Sequence, residues 1–287
     1  KKRAKELGKK YGIRYTDKVD DVLEDESIQA VSLATPTDTH YDLGRKVMDS
    51  GKDILIEKPL AKNIQDAKNL VEVANKENRV LQVGHIFRYH PAVIELKKMI
   101  ENNSFGEIFH LVSNRMSFRK PRKTMGVLQA LAIHEVDIFK YLLNEDPSKI
   151  NCVDRANVRE GIEDTAFLTL EFPSGAVGHS IESWMFPVFE KKRELIVVGN
   201  KQSALVNYLE PNKIEIYEKE ICSNGKIRVN DSGSYEVELD DKEPLKEEIR
   251  DFLRCVRDRE TPRADGKVGL EAVKVIEKAL ESGQRKK

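Results

Sequence analysis

The feature that most constrains the fold is a regular alternation of short apolar runs and helical patterns between residues 30 and 83. Apolar runs at 30–34, 53–57 and 80–83 predict buried strands, and the segments between them have the spacing of amphipathic helices. Strands that alternate with helices through short loops form parallel sheets with helices on their faces. The sequence therefore predicts a doubly wound parallel α/β sheet in this part of the chain.

The pattern changes at Pro91, where a helix, a strand and a long apolar-faced helix over residues 126–143 follow one another. After residue 164, short alternating strands separated by turn residues predict an open, mostly antiparallel sheet. A chain of 287 residues is long enough for two cores. We therefore expect two domains, with the parallel sheet in residues 1–90 and an α+β fold in residues 91–287.

The composition excludes several classes of protein. The 49 basic and 49 acidic residues cancel and form no basic block, so we expect no nucleic-acid partner. No apolar run is long enough for a membrane span and no signal peptide is visible, so we expect no membrane partner. The cysteines Cys152, Cys222 and Cys255 lie far apart and form no CxxC pair, which is typical of a reducing compartment. A cytoplasmic protein is predicted.

A lysine lies at the point where one of the predicted strands ends. The apolar run leads into the segment Ile56-Glu57-Lys58-Pro59-Leu60-Ala61. Lys58 is therefore expected at the carboxyl edge of the sheet, where open α/β sheets bind ligands. Pro59 keeps Lys58 out of helical space and so restricts the direction of its side chain. This context favours a catalytic lysine over one that merely ends a strand in water.

Four motifs in a fixed order carry a family resemblance. They are Thr35-Pro36-Thr37-Asp38-Thr39-His40, Glu57-Lys58-Pro59-Leu60, Gly84-His85-Ile86-Phe87-Arg88-Tyr89-His90-Pro91 and the helix from Gly126 to Asp137. With them the chain resembles, nearly from end to end, the glucose-fructose oxidoreductase and inositol dehydrogenase (Gfo/Idh/MocA) family of NAD(P)-dependent sugar oxidoreductases. The resemblance implies a Rossmann-type domain and an α+β domain, with a sugar held between them. It also implies a homo-oligomer, a dimer or tetramer, formed through the C-terminal sheet.

The resemblance assigns roles to individual residues. The catalytic lysine and histidine of the family fall on Lys58 and His134. Lys58 would relay or accept a proton beside the positive nicotinamide ring, and His134 would take the hydroxyl proton as the hydride leaves the sugar carbon. The cofactor is expected to be NAD or NADP, bound by Thr35, Pro36, Thr37, His40, Glu57, Lys58 and Arg88.

His134 has alternative interpretations. A histidine on an apolar helix face is, taken alone, more often a core residue than a catalyst. Asp137, three residues further on, shares that face and would orient the imidazole. A metal site of His134, Glu135 and Asp137 is disfavoured, because one histidine with two flexible carboxylates does not match the usual ligand spacings. We therefore expect no metal.

Aromatic and basic residues in the second domain indicate the substrate class. The stretches Ser183-Trp184-Met185-Phe186-Pro187, Lys191-Lys192-Arg193-Glu194-Leu195 and Asn207-Tyr208 resemble the branch of the family that oxidises UDP-N-acetylglucosamine at carbon 3. A stacked ring would hold the uracil, and basic side chains would neutralise the diphosphate. The alternative is a core tryptophan beside a solvated basic strand edge. The residues predicted to bind this substrate are Tyr89, Lys123, Trp184, Lys192 and Arg193.

Two regions depart from the family pattern. The 287 residues contain no G-x-G-x-x-G, the loop that holds the pyrophosphate. The predicted helix at 1–11, which a short strand at 13–15 and a helix at 16–23 would follow, matches what comes after that loop in the family. We therefore expect a Rossmann sheet without its first βαβ unit, because the sequence starts about 35 residues late or because this form is not a competent dehydrogenase.

The second departure lies in the helix that carries His134. Ala130 stands one helical turn before the histidine, where the family commonly has an aspartate that would position the ring or tune its pKa. His90 likewise replaces a common asparagine.

Three functions remain open from the sequence. The first is a dehydrogenase that converts a nucleotide-activated amino sugar to a 3-keto sugar. The second, motivated by Ala130 and the missing glycine loop, is a catalytically silent relative that binds a sugar nucleotide or serves as a scaffold subunit. The third is a dehydrogenase of a neutral sugar or polyol.

Overall fold

The computed structural model describes residues 2–188, 190–210, 212–223 and 227–284. The chain forms two compact units, one of Lys1–Gly84 with Asp251–Leu270 and the other of His85–Arg250 with Glu271–Lys287. The first unit thus contains a segment that comes late in the sequence. No helix among the described residues is both long and apolar enough to cross a membrane.

The first unit is built on a parallel sheet of three strands in the order β1-β2-β3. Strand β1 (Ala30–Leu33) is followed by helix α3 (His40–Asp49), and β2 (Asp53–Ile56) by helix α4 (Ile64–Lys76), which leads to β3 (Leu81–Val83). Strand β2 pairs with both neighbours in parallel register. The α/β class predicted for this part of the chain is confirmed.

The helices of the first unit pack closely because their sequences provide caps and small residues. The side chain of Asn63 accepts a hydrogen bond from the Asp66 amide at 2.8 Å and so begins α4. Gly44 on α3 faces the sheet, where an added Cβ would lie 2.9 Å from the Cδ1 atom of Ile56. Every residue of β2 is buried, as expected for a strand covered on both faces.

The start of the chain differs in part from the sequence prediction. Helix α1 (Lys2–Tyr11) ends at Gly12, which has a φ of 65°, a conformation that favours glycine. Residues 13–15 form no strand, and Ile13 and Tyr15 are exposed. Helix α2 (Asp20–Leu23) is shorter than predicted because the Thr16 hydroxyl accepts a hydrogen bond from the amide of Lys18, a local turn that competes with a helix.

The second unit contains an eight-stranded sheet in the order β11-β10-β9-β8-β4-β7-β6-β5. All neighbouring strands are antiparallel except β4 and β7, so the predicted open, mostly antiparallel sheet is confirmed. Strand β5 (Lys149–Arg155) was not predicted from the sequence. The strands are β4 (Ile108–Ser117), β5 (Lys149–Arg155), β6 (Thr165–Glu171), β7 (Val177–Ser183), β8 (Lys191–Gly199), β9 (Ser203–Asn207), β10 (Lys213–Ser223) and β11 (Ile227–Glu238).

One face of this sheet carries the main hydrophobic core. Helices α5 (Pro91–Glu101) and α6 (Ile133–Leu143) and the second half of α8 (Gly266–Gln284) contribute buried side chains to it. Helix α7 (Pro244–Asp258) precedes α8. Cys152 lies in this core, where burial raises the pKa of its thiol to about 12 and keeps it unreactive. Cys255 is also a buried free thiol, and the side chain of Cys222 lies outside the described residues.

Candidate active site

The carboxyl ends of the three parallel strands bring several predicted site residues to one edge. The amide of Glu57 donates to the carbonyl oxygen of Leu33 at 2.9 Å, and the amide of Gly84 donates to that of Ile56 at 2.8 Å. The segments after β1, β2 and β3 are thereby joined side by side. Gly84 lies under the carboxylate of Glu57, whose atoms would be 3.1 Å from an added Cβ, so a larger residue here would crowd Glu57.

His40 joins two of these segments. Its ring is 1% exposed, and its Nδ1 and Nε2 atoms lie 2.8 Å from the carbonyl oxygen of Pro59 and 2.9 Å from that of Thr35. The predicted cofactor-binding histidine therefore uses both ring nitrogens on the backbone. Its position connects the segment that carries Lys58 to the turn that begins with Thr35 and Pro36.

Lys58 is half-buried at this edge, and its amide donates to the Glu57 carboxylate at 3.2 Å. The Lys58–Pro59 peptide bond is cis. Thr35 and Pro36 are exposed nearby in sequence, and the hydroxyl groups of Thr35 and Thr39 lie 2.7 Å apart. Six of the seven residues predicted to bind the cofactor thus belong to one edge of the first unit.

This edge fits one half of a dinucleotide. Open parallel sheets bind nucleotides at the carboxyl ends of their strands, and here exposed Thr35 and Pro36 and half-buried Lys58 offer a hydroxyl, an apolar ring and an ammonium group for a nicotinamide riboside. The sequence contains no glycine-rich loop for the pyrophosphate. The residues present therefore fit the nicotinamide end of NAD or NADP.

In the second unit, His134 lies at the second position of α6, directly after a wide helical turn over Leu128–Ala132. Its ring is half-buried and meets the ring of Phe87 edge-on at 5.1 Å between centroids. Such π-helical turns recur at functional sites. Glu163 supports the start of the turn, because its carboxylate accepts a hydrogen bond from the Leu128 amide at 3.0 Å.

Asp137, three residues after His134, contacts two other side chains of the second unit. Its Oδ1 atom accepts two hydrogen bonds from Arg88, each 2.8 Å long, and its Oδ2 atom lies 3.5 Å from the ring of His85. The carboxylate of Asp137 is thus bound to a half-buried guanidinium, and the expectation that it orients His134 stays a prediction. Arg88, predicted to bind the cofactor, is held within the second unit, where it also lies 4.9 Å above the ring of Tyr141.

The residues predicted to bind substrate have different surroundings. Trp184 is 1% exposed within the hydrophobic core, so it has no free face for a uracil, and the core alternative fits it. Tyr89 is also buried. Lys123 is exposed, Lys192 lies 3.2 Å from the carboxylate of Glu194, and Arg193 is half-buried. Of these three basic residues, Arg193 is half-buried and forms no ion pair with a carboxylate among the described residues.

A buried polar cluster next to His134 escaped the sequence reading. Arg115 on β4 donates to the carboxylate of Glu135 on α6, and its guanidinium lies 4.6 Å from the ring centre of Phe87 and 5.8 Å from that of Tyr208. Burial raises the pKa of Tyr208 well above its usual value. The signal was present, since strand alternation places Arg115 on the same buried face as Leu111.

Two further groups of this cluster have displaced pKa values. Burial, with the charge of Arg115, lowers the pKa of His90 to about 4. Burial raises the pKa of Glu182 to about 8, with the neighbouring Glu135 acting in the same direction. Among the residues that the structure describes, no three histidine, cysteine, aspartate or glutamate side chains come together as a metal site.

Comparisons with known proteins agree with this geometry. Residues 1–85 match the model of the oxidoreductase family with an NAD-binding Rossmann fold, and residues 97–287 match that family's C-terminal alpha/beta domain. The chain is 30% identical to UDP-N-acetylglucosamine 3-dehydrogenase of Acidithiobacillus ferrooxidans, over 93% of this chain and 82% of that protein. It is 27% identical to scyllo-inositol 2-dehydrogenase (NAD(+)) of Bacillus subtilis, over 91% and 78% of the two chains.

A solved structure shows the same fold. The UDP-N-acetylglucosamine 3-dehydrogenase GnnA of Acidithiobacillus ferrooxidans superposes with a TM-score of 0.85 and 26% identity, over 99% of this chain and 87% of that chain. Both family models and the relatives over nearly the whole chain lead to one conclusion. The chain belongs to the Gfo/Idh/MocA family of oxidoreductases and is an NAD(P)-dependent dehydrogenase.

Proposed function

We propose that this dehydrogenase oxidises carbon 3 of UDP-N-acetylglucosamine, or of a closely related nucleotide sugar, to a ketone. The observation that carries the proposal is the 30% identity to a UDP-N-acetylglucosamine 3-dehydrogenase over 93% of the chain. Half-buried Arg193, in the second unit with His134, supports a substrate that carries negative charge. A neutral polyol would give this arginine no anion to bind.

Lys58 and His134 are each proposed to take part in the oxidation. Oxidation of an alcohol removes a hydride from carbon and a proton from oxygen. The nicotinamide ring, when bound, accepts the hydride. His134 takes the hydroxyl proton at a ring nitrogen, and the edge-on contact with Phe87 holds the imidazole in one orientation. Lys58 lies at the edge that fits the nicotinamide riboside, where we propose that its side chain takes part in acid-base catalysis.

The carboxylates on α6 are already engaged elsewhere. Glu135 binds Arg115 and Asp137 binds Arg88, while position 130 holds an alanine. We therefore propose that proton transfer from the substrate depends on His134 and Lys58 rather than on an aspartate of this helix.

The proposed function is tested by a substrate panel with NAD+ and NADP+, followed by absorbance of the reduced cofactor. UDP-N-acetylglucosamine is expected to give a higher kcat/KM than N-acetylglucosamine and myo-inositol, and His134→Gln to abolish most of its turnover. A higher kcat/KM for myo-inositol would establish the neutral-polyol alternative. Binding of UDP-N-acetylglucosamine without turnover by either cofactor would establish the silent relative.

We also propose that the open face of the second-unit sheet joins two copies of the chain. Val153, Phe167 and Ile181 are direct neighbours on β5, β6 and β7, so their side chains form an apolar row on one face. Phe167 is 38% exposed there. Phe167→Glu is expected to lower the mass measured by light scattering towards that of a monomer, whereas Val158→Glu, in an exposed loop, is the control. An unchanged mass in Phe167→Glu would exclude this face.

A further inference from the structure

A row of polar side chains crosses four neighbouring strands of the second unit. Arg115 on β4 is the direct partner of Glu182 on β7 and of Arg193 on β8. The amide of Tyr208, just after β9, donates to the carbonyl oxygen of Arg193 at 2.9 Å. Direct partners project to the same face of a sheet. This face is the one that Glu135 of α6 contacts through Arg115.

A third arginine extends the row. Arg119 follows β4 by two residues, and its amide donates to the carbonyl oxygen of Trp184 at 3.0 Å. Its guanidinium lies 5.7 Å from the centre of the Trp184 ring, a contact that orients the cation. The Trp184 ring therefore contacts the Arg119 guanidinium, and we do not expect it to stack on the uracil base.

The positive charge of this row is not balanced. Glu135 neutralises Arg115 and also accepts a hydrogen bond from Ser113 at 2.6 Å. Burial and the neighbouring Glu135 raise the pKa of Glu182, which favours the neutral form of this carboxyl group. Neither Arg119 nor Arg193 forms an ion pair with a carboxylate in the part of the chain that the structure describes.

This imbalance costs free energy in the absence of a ligand. Burial and the charge of Arg115 lower the pKa of Arg193, which shows that its cationic form is disfavoured here. A half-buried cation beside other cations is expected where an anion supplies the missing charge. Guanidinium groups present paired N–H donors that match the oxygens of a phosphate.

We propose that Arg193 and Arg119 bind the diphosphate of a nucleotide-sugar substrate, with Arg115 as a third positive charge held in place by Glu135. This inference rests on the proposed function for the identity of the sugar nucleotide. Arg115 lies close to His134, because Phe87 contacts both Arg115, at 4.6 Å, and His134, at 5.1 Å.

The test measures binding of UDP, uridine and glucuronate to the full chain by calorimetry. Wild type is expected to bind UDP much more tightly than uridine. Arg193→Gln and Arg119→Gln are each expected to weaken UDP binding roughly tenfold or more. Arg193→Lys keeps the charge without the paired donors and is expected to fall between wild type and Arg193→Gln. Arg250→Gln, an exposed arginine of α7, is the matched control with unchanged UDP binding.

The outcomes separate this site from the proposed reaction. Equal binding of UDP and uridine by wild type, or unchanged UDP binding in a folded Arg193→Gln variant, would overturn the diphosphate site. Preference for glucuronate over UDP would show a carboxylate site and would also overturn it. If UDP binding depends on Arg193 but UDP-N-acetylglucosamine is not oxidised, the diphosphate site stands and the proposed function fails. If oxidation proceeds with the same KM in Arg193→Gln, the function stands and the site fails.

Discussion

The Nδ1 atom of His40 lies 2.8 Å from the carbonyl oxygen of Pro59, the residue that follows the lysine proposed to act in catalysis. Its Nε2 atom lies 2.9 Å from a second carbonyl, that of Thr35. Both ring nitrogens of His40 therefore contact backbone carbonyl groups, one of them next to Lys58. We expect His40 to act on Lys58 through the backbone, as a positioning residue.

We expect His40→Ala to lower kcat about tenfold, because losing the contacts of the imidazole with the Pro59 and Thr35 carbonyl groups frees the segment that carries Lys58. His40→Asn keeps an amide donor and is expected to recover part of this loss. Steady-state kinetics at saturating cofactor and substrate measure kcat apart from KM. His110→Ala, at an exposed position of β4, is the control. Wild-type kcat in His40→Ala would contradict the positioning role.

Lys58→Ala is expected to reduce turnover by roughly a hundredfold, the usual scale for loss of an acid-base group. The loss should appear in kcat if Lys58 takes part in the chemical step, as proposed. Lys68→Ala removes an exposed lysine of α4 that pairs with Glu72 at 3.7 Å, and it should retain wild-type turnover. Equal turnover in the two variants would remove Lys58 from the catalytic site.

His90 is expected to make the protein less stable in acid. Its folded-state pKa is about 4, because it is buried near Arg115, whereas 6.5 is the ordinary value. Between these values the unfolded chain binds a proton that the folded chain does not. The contribution is therefore fully present above about pH 6.5 and is lost as the pH falls to about 4, by about 3 kcal/mol.

His90→Asn separates this effect from the cap that His90 provides. The His90 ring accepts a hydrogen bond from the Ala92 amide at 3.2 Å at the start of α5, and asparagine is also a good N-cap. The variant should therefore lose less free energy of unfolding between pH 6.5 and 4, as measured with urea at several pH values. His110→Asn should follow the wild-type profile. Parallel profiles for wild type and His90→Asn would refute the assignment.

Much of the fold follows from local sequence patterns. Alternating strands and helices predicted the parallel sheet, and the edge that carries Lys58 follows from where β2 ends. The strand predicted at residues 13–15 does not form, because a β-propensity pattern alone does not specify a neighbouring strand to pair with. The segment Asp251–Leu270 joins the first unit through contacts distant in sequence, such as the ion pair of Arg259 with Asp53 at 2.7 Å. No local pattern carries that information.

The sequence predicts the position of a site residue where that residue directly follows a strand. It does not predict which charged side chains form ion pairs with each other. Asp137 has the helical spacing to meet His134, but its ion pair with Arg88, 49 residues earlier in the chain, has no local sequence signal. The sequence around Trp184 was equally compatible with a base-stacking residue and with a core residue. Only the packing in the structure shows that Trp184 is buried. Arg115 lies within a strand pattern, yet its ion pair with Glu135 requires β4 and α6 to be packed together.

The carboxyl group of Glu182 is fully buried in the second unit. Burial raises its pKa from 4.5 to about 8. As the pH rises between these values, the unfolded chain releases a proton that the folded chain keeps, so stability falls. The full cost, reached above about pH 8, is about 5 kcal/mol at most.

Glu182→Gln keeps the shape of the side chain and removes its titration. We expect the variant to gain stability over wild type as the pH rises from 5 to 9, with the two most similar at the acid end. Urea unfolding at each pH gives the difference, and Glu238→Gln, an exposed position on β11, controls for removal of one carboxylate. A constant difference between Glu182→Gln and wild type across this range would mean that Glu182 is ionised in the folded protein. In that case Glu182 would neutralise part of the arginine row.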